Sequence, residues 1–323
     1  MGIILCLFPL CSLAQYDFNA GQVLKTIEFY NPGYNASKDC PTAVVLYRGP
    51  FQNNQNLLSP NYINDLEYTT NAVNLYVPFL KTKTGISVNV INEKLGHREN
   101  TIADLAFDVA VRTSQVDFLS LGIAAGVNLW QYDLTNAFHN YGNIEIGNYN
   151  STFPYVGVGL NFFKRGHHLG ISYHLTSPKP ISKTDFNPFT TNDDIRLYQT
   201  LYANLSIQIP LSNNMHLKPF IIFKNWNFTP NNYLIEGGVN LLLSDRVWIG
   251  GAYRESWVTD AYSIMLDFKV LDYLRLGYSY EKNLNDVGFF ASSIHEIRMQ
   301  IRVPRKEKDA YLPQAKQSKT EIK

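Results

Sequence analysis

Alternation of apolar and polar positions is the dominant pattern, and residues 244–303 carry it most clearly. In residues 273–281, Leu274, Leu276, Tyr278 and Tyr280 fall on one face, with Arg275, Gly277, Ser279 and Glu281 on the other. In residues 294–303, Ile297, Met299, Ile301 and Val303 oppose Glu296, Arg298, Gln300 and Arg302. Successive side chains of a β-strand point to opposite sides, so a period of two means two different environments. One is apolar; the other accepts arginine and glutamate. The same pattern, broken by turn signals, predicts about fourteen strands: 42–51, 63–78, 85–92, 101–113, 118–132, 153–163, 167–175, 195–209, 215–226, 233–243, 246–257, 261–269, 273–283 and 294–303. No segment sustains helical periodicity, and no internal run reaches the ~20 apolar residues of a membrane helix.

The connections alternate in length. Turns of a few residues, such as 114–117 and 164–166, are followed by longer loops at 135–152, 176–194 and 284–292. An up-and-down barrel places its short turns in the periplasm and its long loops outside, and an even strand number leaves both ends in the periplasm. The polar faces hold Asp104, Asp108, Arg112, Arg196, Asn204, Gln208, Asn240, Arg254, Asp267, Arg275, Glu281, Arg298 and Arg302. A dry core cannot take that many charges unpaired; a wet or plugged lumen can. The predicted fold is all-β: a single up-and-down antiparallel transmembrane β-barrel of about fourteen strands, closed so that no sheet edge meets lipid.

Composition agrees with this picture. The mean hydropathy of −0.17 is that of a soluble protein, but a barrel shows lipid only every other residue. Aromatics make up 14%, with 21 Tyr and 19 Phe, as interfacial girdles require. The net charge of +1 gives no bulk attraction to nucleic acid. Residues 1–14 form a short apolar run ending Ser12-Leu13-Ala14, the pattern of a cleaved signal peptide. Cleavage there leaves Cys40 as the only cysteine, which excludes an internal disulfide and a cysteine zinc site. The expected organisation is a signal peptide at 1–14, a periplasmic N-terminal extension at 15–41, the barrel at 42–303 and a disordered charged tail at 304–323.

Several blocks, in this order, resemble the PorP/SprF family of outer-membrane barrels from the type IX secretion and gliding system of Bacteroidetes. They are Asn31-Pro32-Gly33-Tyr34-Asn35, Tyr47-Arg48, residues 85–96, Lys218-Pro219, residues 250–254 ending in Arg254, residues 276–281 ending in Glu281, and residues 293–297 with His295 and Glu296. The chain departs from the family at Gly49-Pro50-Phe51. The resemblance implies an outer-membrane location and a non-enzymatic role without a cofactor. It also implies partners: outer-membrane lipid, the periplasmic ring components of the secretion machine, and a large secreted substrate or adhesin. The oligomeric state is not readable. Two other readings of the same pattern are a porin-like or hydrophobic-solute transport barrel and a secreted all-β binding protein.

Chemical motifs add little. The seven histidines centre on His167, His168 and His174; on one strand His168 and His174 would stand roughly 20 Å apart, too far to share an ion. No Gly-x-Ser-x-Gly, His-Glu-x-x-His or phosphate-binding glycine loop is present. The candidate residues are therefore a lumen network or family-motif set: Arg48, Arg254, Arg275, Glu281, His295, Glu296, Arg298 and Arg302. Inward Glu296 is expected to pair with Arg254, Arg275 or Arg302. His295 shares the parity of the apolar residues and is expected at the membrane interface.

Overall fold

The computed structural model describes residues 20–50, 68–79, 82–96, 98–112, 117–132, 148–177, 179, 182–183, 198–228, 230, 232–244, 246–257, 259–284 and 293–303. The expected signal peptide, the tail at 304–323, Arg196 and the side chain of Arg112 lie outside them.

The strands are β1 (Thr42–Gly49), β2 (Tyr68–Phe79), β3 (Thr84–Leu95), β4 (Arg98–Arg112), β5 (Asp117–Tyr132), β6 (Tyr149–Lys164), β7 (His167–Thr176), β8 (Ser182–Lys183), β9 (Tyr198–Ser206), β10 (Ile209–Ser212), β11 (Met215–Trp226), β12 (Tyr233–Leu243), β13 (Val247–Ser256), β14 (Ala261–Leu271), β15 (Leu274–Asn283) and β16 (Ser293–Arg302). β8 is a two-residue bridge on β6, and β9 and β10 occupy one wall position beside β11. Fourteen wall positions result, each antiparallel to its neighbours. The wall closes where β1 pairs with β16, from Thr42 opposite Arg302 to Gly49 opposite His295.

Short turns lie on the rim where β1 begins and β16 ends. One of them, between β6 and β7, is the two-residue turn Arg165-Gly166, with φ of 48° and 90°; two positive φ values match the right-handed twist of the flanking strands, and glycine supplies one without strain. Most long connections lie on the other rim. That rim also holds short connections, among them β3 to β4, where Leu95 pairs directly with Arg98. The strand expected at 195–209 is also divided. Pro219, opposite the gap after Ser206, accepts from Ile207 N–H at 3.1 Å but has no N–H to return, and pairing resumes at Ile209.

The apolar face is the outer one. Leu105 is 58% exposed and Ile264 57%, and Leu121, Ile123, Val158 and Ile171 stand out alike. A secreted all-β protein would bury these positions, whereas a continuous apolar belt on a closed barrel needs lipid. Exposed aromatics flank the belt, with Tyr253, Tyr262 and Tyr278 towards the long-connection rim and Phe79, Phe268 and Tyr273 towards the other.

The described part of the expected periplasmic extension lies inside the barrel. Residues 20–41 form 3-10 turns at Val23–Lys25, Ile27–Phe29 and Tyr34–Ser37 and are almost wholly buried. Val23, Leu24, Ile27 and Phe29 pack on inward Val44, Leu46, Ala72, Ile222 and Met265. The lumen therefore contains a dry patch as well as the charged lining that alternation alone indicates.

The lipid-facing assignment predicts that Leu105→Arg, near mid-wall, lowers unfolding stability in lipid vesicles by about 2–4 kcal/mol, the cost of a cation at barrel mid-depth. The same substitution at Val303, beyond the last strand, should cost under ~1 kcal/mol.

Candidate functional site

The inner wall has two chemically different sectors, and residues 20–41 bridge them. On β1 and β12–β16 the lining is charged. Glu281 receives Arg48 Nη2 at 2.8 Å and Arg254 Nη2 at 2.6 Å. The Nε of Arg254 donates to Glu236 at 2.9 Å. Arg48, Arg254, Glu236 and Glu281 are all buried, so each charge depends on the others for what water would have supplied. Three separate sequence blocks, ending in Arg48, Arg254 and Glu281, therefore converge on one point.

Glu296 pairs with Arg48, at 3.7 Å, and not with the arginines expected for it. Its two oxygens accept the backbone N–H groups of Gly21 (2.6 Å) and Gln22 (3.0 Å). It thus binds the plug to the wall by charge-assisted hydrogen bonds. Lower in the lumen Asp267 receives Arg275 at 2.8 Å and Arg298 at 3.4 Å, with Lys25 of the plug at 3.6 Å. Arg298 lies 3.9 Å from Glu28, which in turn lies 3.8 Å from Lys38. Arg302 reaches Asp39 at 2.8 Å, at the base of the β1–β16 seam.

Seven of the eight candidate residues thus face the lumen and join plug-to-wall or wall-to-wall pairs. His295 does not. It lies on the outer face, its Nδ1 2.7 Å from the Tyr278 hydroxyl and its ring edge-on to Tyr280, which fits an interfacial position. Lys25, Glu28, Lys38 and Asp39 escaped the sequence reading, although alternating acids and bases in a short non-strand segment were a usable signal.

The β2–β7 sector binds the same plug through amides and hydroxyls. Asn31 Nδ2 donates to the carbonyls of Leu160 (3.3 Å) and Ile171 (3.2 Å), and its Oδ1 accepts from Asn161 (2.8 Å) and Gly33 N–H (3.0 Å). Ser120 donates to the Gly33 carbonyl at 2.8 Å and Ser172 to that of Tyr30 at 2.6 Å. Asn35 donates to Ser87 at 3.0 Å. Gly122 and Gly159 pair across β5 and β6; a Cβ on the first would overlap the Pro32 backbone and one on the second the Asn31 side chain. The Asn31-Pro32-Gly33 block is therefore a plug anchor and these two glycines are its seat. His168 bridges Asn161 and Asn204 at 2.9 and 2.8 Å, a structural role. Among the described residues no group of His, Cys, Asp and Glu is placed to hold a metal ion.

Glu281→Gln weakens the pairing of two buried arginines at once. It is expected to destabilise the barrel by about 3–5 kcal/mol, against under ~1 kcal/mol for Arg302→Ala at the more exposed seam base, both read from urea midpoints in vesicles. Gly122→Leu is expected to unseat residues 31–33 while the wall persists, read as faster protease cleavage within the plug and retained heat-modifiable gel migration.

Comparison with known proteins places this architecture. The Ralstonia pickettii toluene transporter TbuX superposes with a TM-score of 0.52 at 7% identity, covering 86% of this chain and 93% of that one. A Pseudomonas aeruginosa FadL homologue gives 0.50 at 12% identity, covering 86% and 94%. At these identities the likeness concerns the outer-membrane barrel fold alone. No curated protein matches significantly. Residues 12–301 match the family described as type IX secretion system membrane protein PorP/SprF. That match covers most of the chain, including the wall and the plug described above, and this non-enzymatic outer-membrane β-barrel belongs to the PorP/SprF family of type IX secretion system membrane proteins.

Proposed function

We propose that the barrel is a docking component of type IX secretion, holding a large secreted substrate or adhesin at its long-connection face and meeting the periplasmic ring at its short-turn rim. The observation that carries this reading is the occupied lumen. Residues 20–41 cross it and are held on one side by Glu296, Asp267 and Arg298 and on the other by Asn161, Ser120 and Ser87. A barrel filled by its own chain is better suited to presenting surfaces than to passing a folded cargo. In this reading the charged segment 304–323, which follows β16 in sequence, adds a second contact with the machine.

A transport barrel is the competing reading, favoured by the resemblance in fold to TbuX, a toluene transporter. Two measurements separate them. Affinity purification of the tagged protein from outer membrane is expected to bring down a large secreted protein together with ring components, and deletion is expected to abolish surface display of that protein. Planar-bilayer recordings are expected to show no stable conductance from the native barrel. Stable single-channel conductance with secretion intact in the deletion strain would overturn the docking role.

A further inference from the structure

Towards the short-turn rim the lumen carries more bases than its acids serve singly. Asp267 and Glu28, each 2% exposed, are shared among Lys25, Arg275, Arg298 and Lys38. The two acids lie behind, while Lys25 is 14% exposed and Arg275 18%, so water reaches the bases first. Lys218, from the Lys218-Pro219 block, is a further base. It stands half-buried near the start of β11, which begins at Met215, with neutral Asn240 opposite it on β12. Its ammonium lies 5.5 Å from the centroid of the Trp248 ring, which also carries Lys25 at 3.2 Å. Among the described residues no carboxylate pairs with Lys218.

These groups form a row along the wall. Lys218 lies on β11, Trp248 on β13 and Arg275 on β15, four strand spacings from end to end, or about 19 Å. A small oxyanion meets one end of such a row. An extended peptide sets every second side chain on one face at intervals of about 7 Å, so carboxylates from one short segment reach along all of it. Low-dielectric walls around a cationic mouth concentrate the field and draw negative charge inward, and lysine ammoniums accept a carboxylate from many directions.

We propose that the short-turn mouth of the lumen, along β11–β15, binds an acidic extended peptide segment of a periplasmic partner, with Lys218 in direct contact. The proposal rests on the docking role above and gives the partner at that rim a chemistry: carboxylates at alternate residues, on one face of an extended chain. Such a segment supplies the counter-charge that Lys218 lacks. A neutral segment leaves that ammonium uncompensated, and a basic one is repelled by Lys25, Arg275 and Lys218 together.

The test uses full-length protein in detergent micelles and a fluorescein-labelled hexaglutamate peptide, read by anisotropy. Hexaglutamine and inorganic phosphate serve as competing probes. Hexaglutamate is expected to bind with a Kd between about 1 and 100 μM at low salt and to weaken about tenfold when salt is raised to about 0.3 M. Lys218→Gln is expected to weaken binding by about fivefold or more with heat-modifiable migration unchanged, and Lys218→Arg to retain it. Lys164→Gln, at an exposed base beside the β6–β7 turn of the same rim, is expected to change nothing. The proposal is overturned if hexaglutamate fails to bind at about 1 mM, if hexaglutamine or phosphate binds as tightly, if affinity survives Lys218→Gln, or if Lys164→Gln costs as much. Binding that depends on Lys218, in a barrel that brings down no ring component, upholds this site and overturns the docking role; the reverse pair of results overturns the site alone.

Discussion

Pairing of β1 with β16 is the constraint from which the rest follows. A sheet in lipid cannot leave an edge of unpaired N–H and C=O groups, so the wall has to return on itself. Once it does, every strand has one face in hydrocarbon and one in an enclosed lumen. Leu105, Ile123 and Ile264 are then correctly placed outside, and Arg48, Arg254 and Glu281 must find partners inside. The charged residues are not decoration on a pore. They are a consequence of closure that has been turned into a means of holding the lumen's contents.

Those contents are the chain's own N-terminal segment, and the two sectors hold it by different physics. Around Glu296 and Asp267 the bonds are charge-assisted and depend on complete pairing. Around Gly122 and Gly159 the contact is one of shape, with backbone laid on backbone and hydrogen bonds from Asn31, Ser120 and Asn161 completing the fit. A third component, the apolar contact of Ile27 and Phe29 with Val44, Leu46 and Ile222, excludes water from the centre. Loss of one component leaves the others, so the plug should loosen in parts.

Period-two alternation made the barrel legible because lipid and lumen select opposite residue types at every step. In the structure seven of the eight candidate residues turn inward and His295 outward. Partner choice was not legible. Glu296 meets Arg48 because β1 closes on β16, a neighbour relation that no local pattern reveals. The plug was missed for a related reason: residues 20–41 have no period, and their partners are scattered over strands from β2 to β16. Inward Val44 and Leu46, which break the expected polar lining, were the trace of that packing. The break after Ser206 had its own signal in Pro219, whose missing N–H is a property of the residue type.

The plug runs directly into the strand that completes the wall, since only Pro41 separates Asp39 and Cys40 from Thr42. Asp39 and Arg302 join across that junction, and Thr42 lies opposite Arg302 in the seam. One covalent stretch thus serves as stopper and as clasp. Stopper and seam thus share one anchoring point: the pairing that closes the wall also holds the last residues of the plug at the mouth of the barrel.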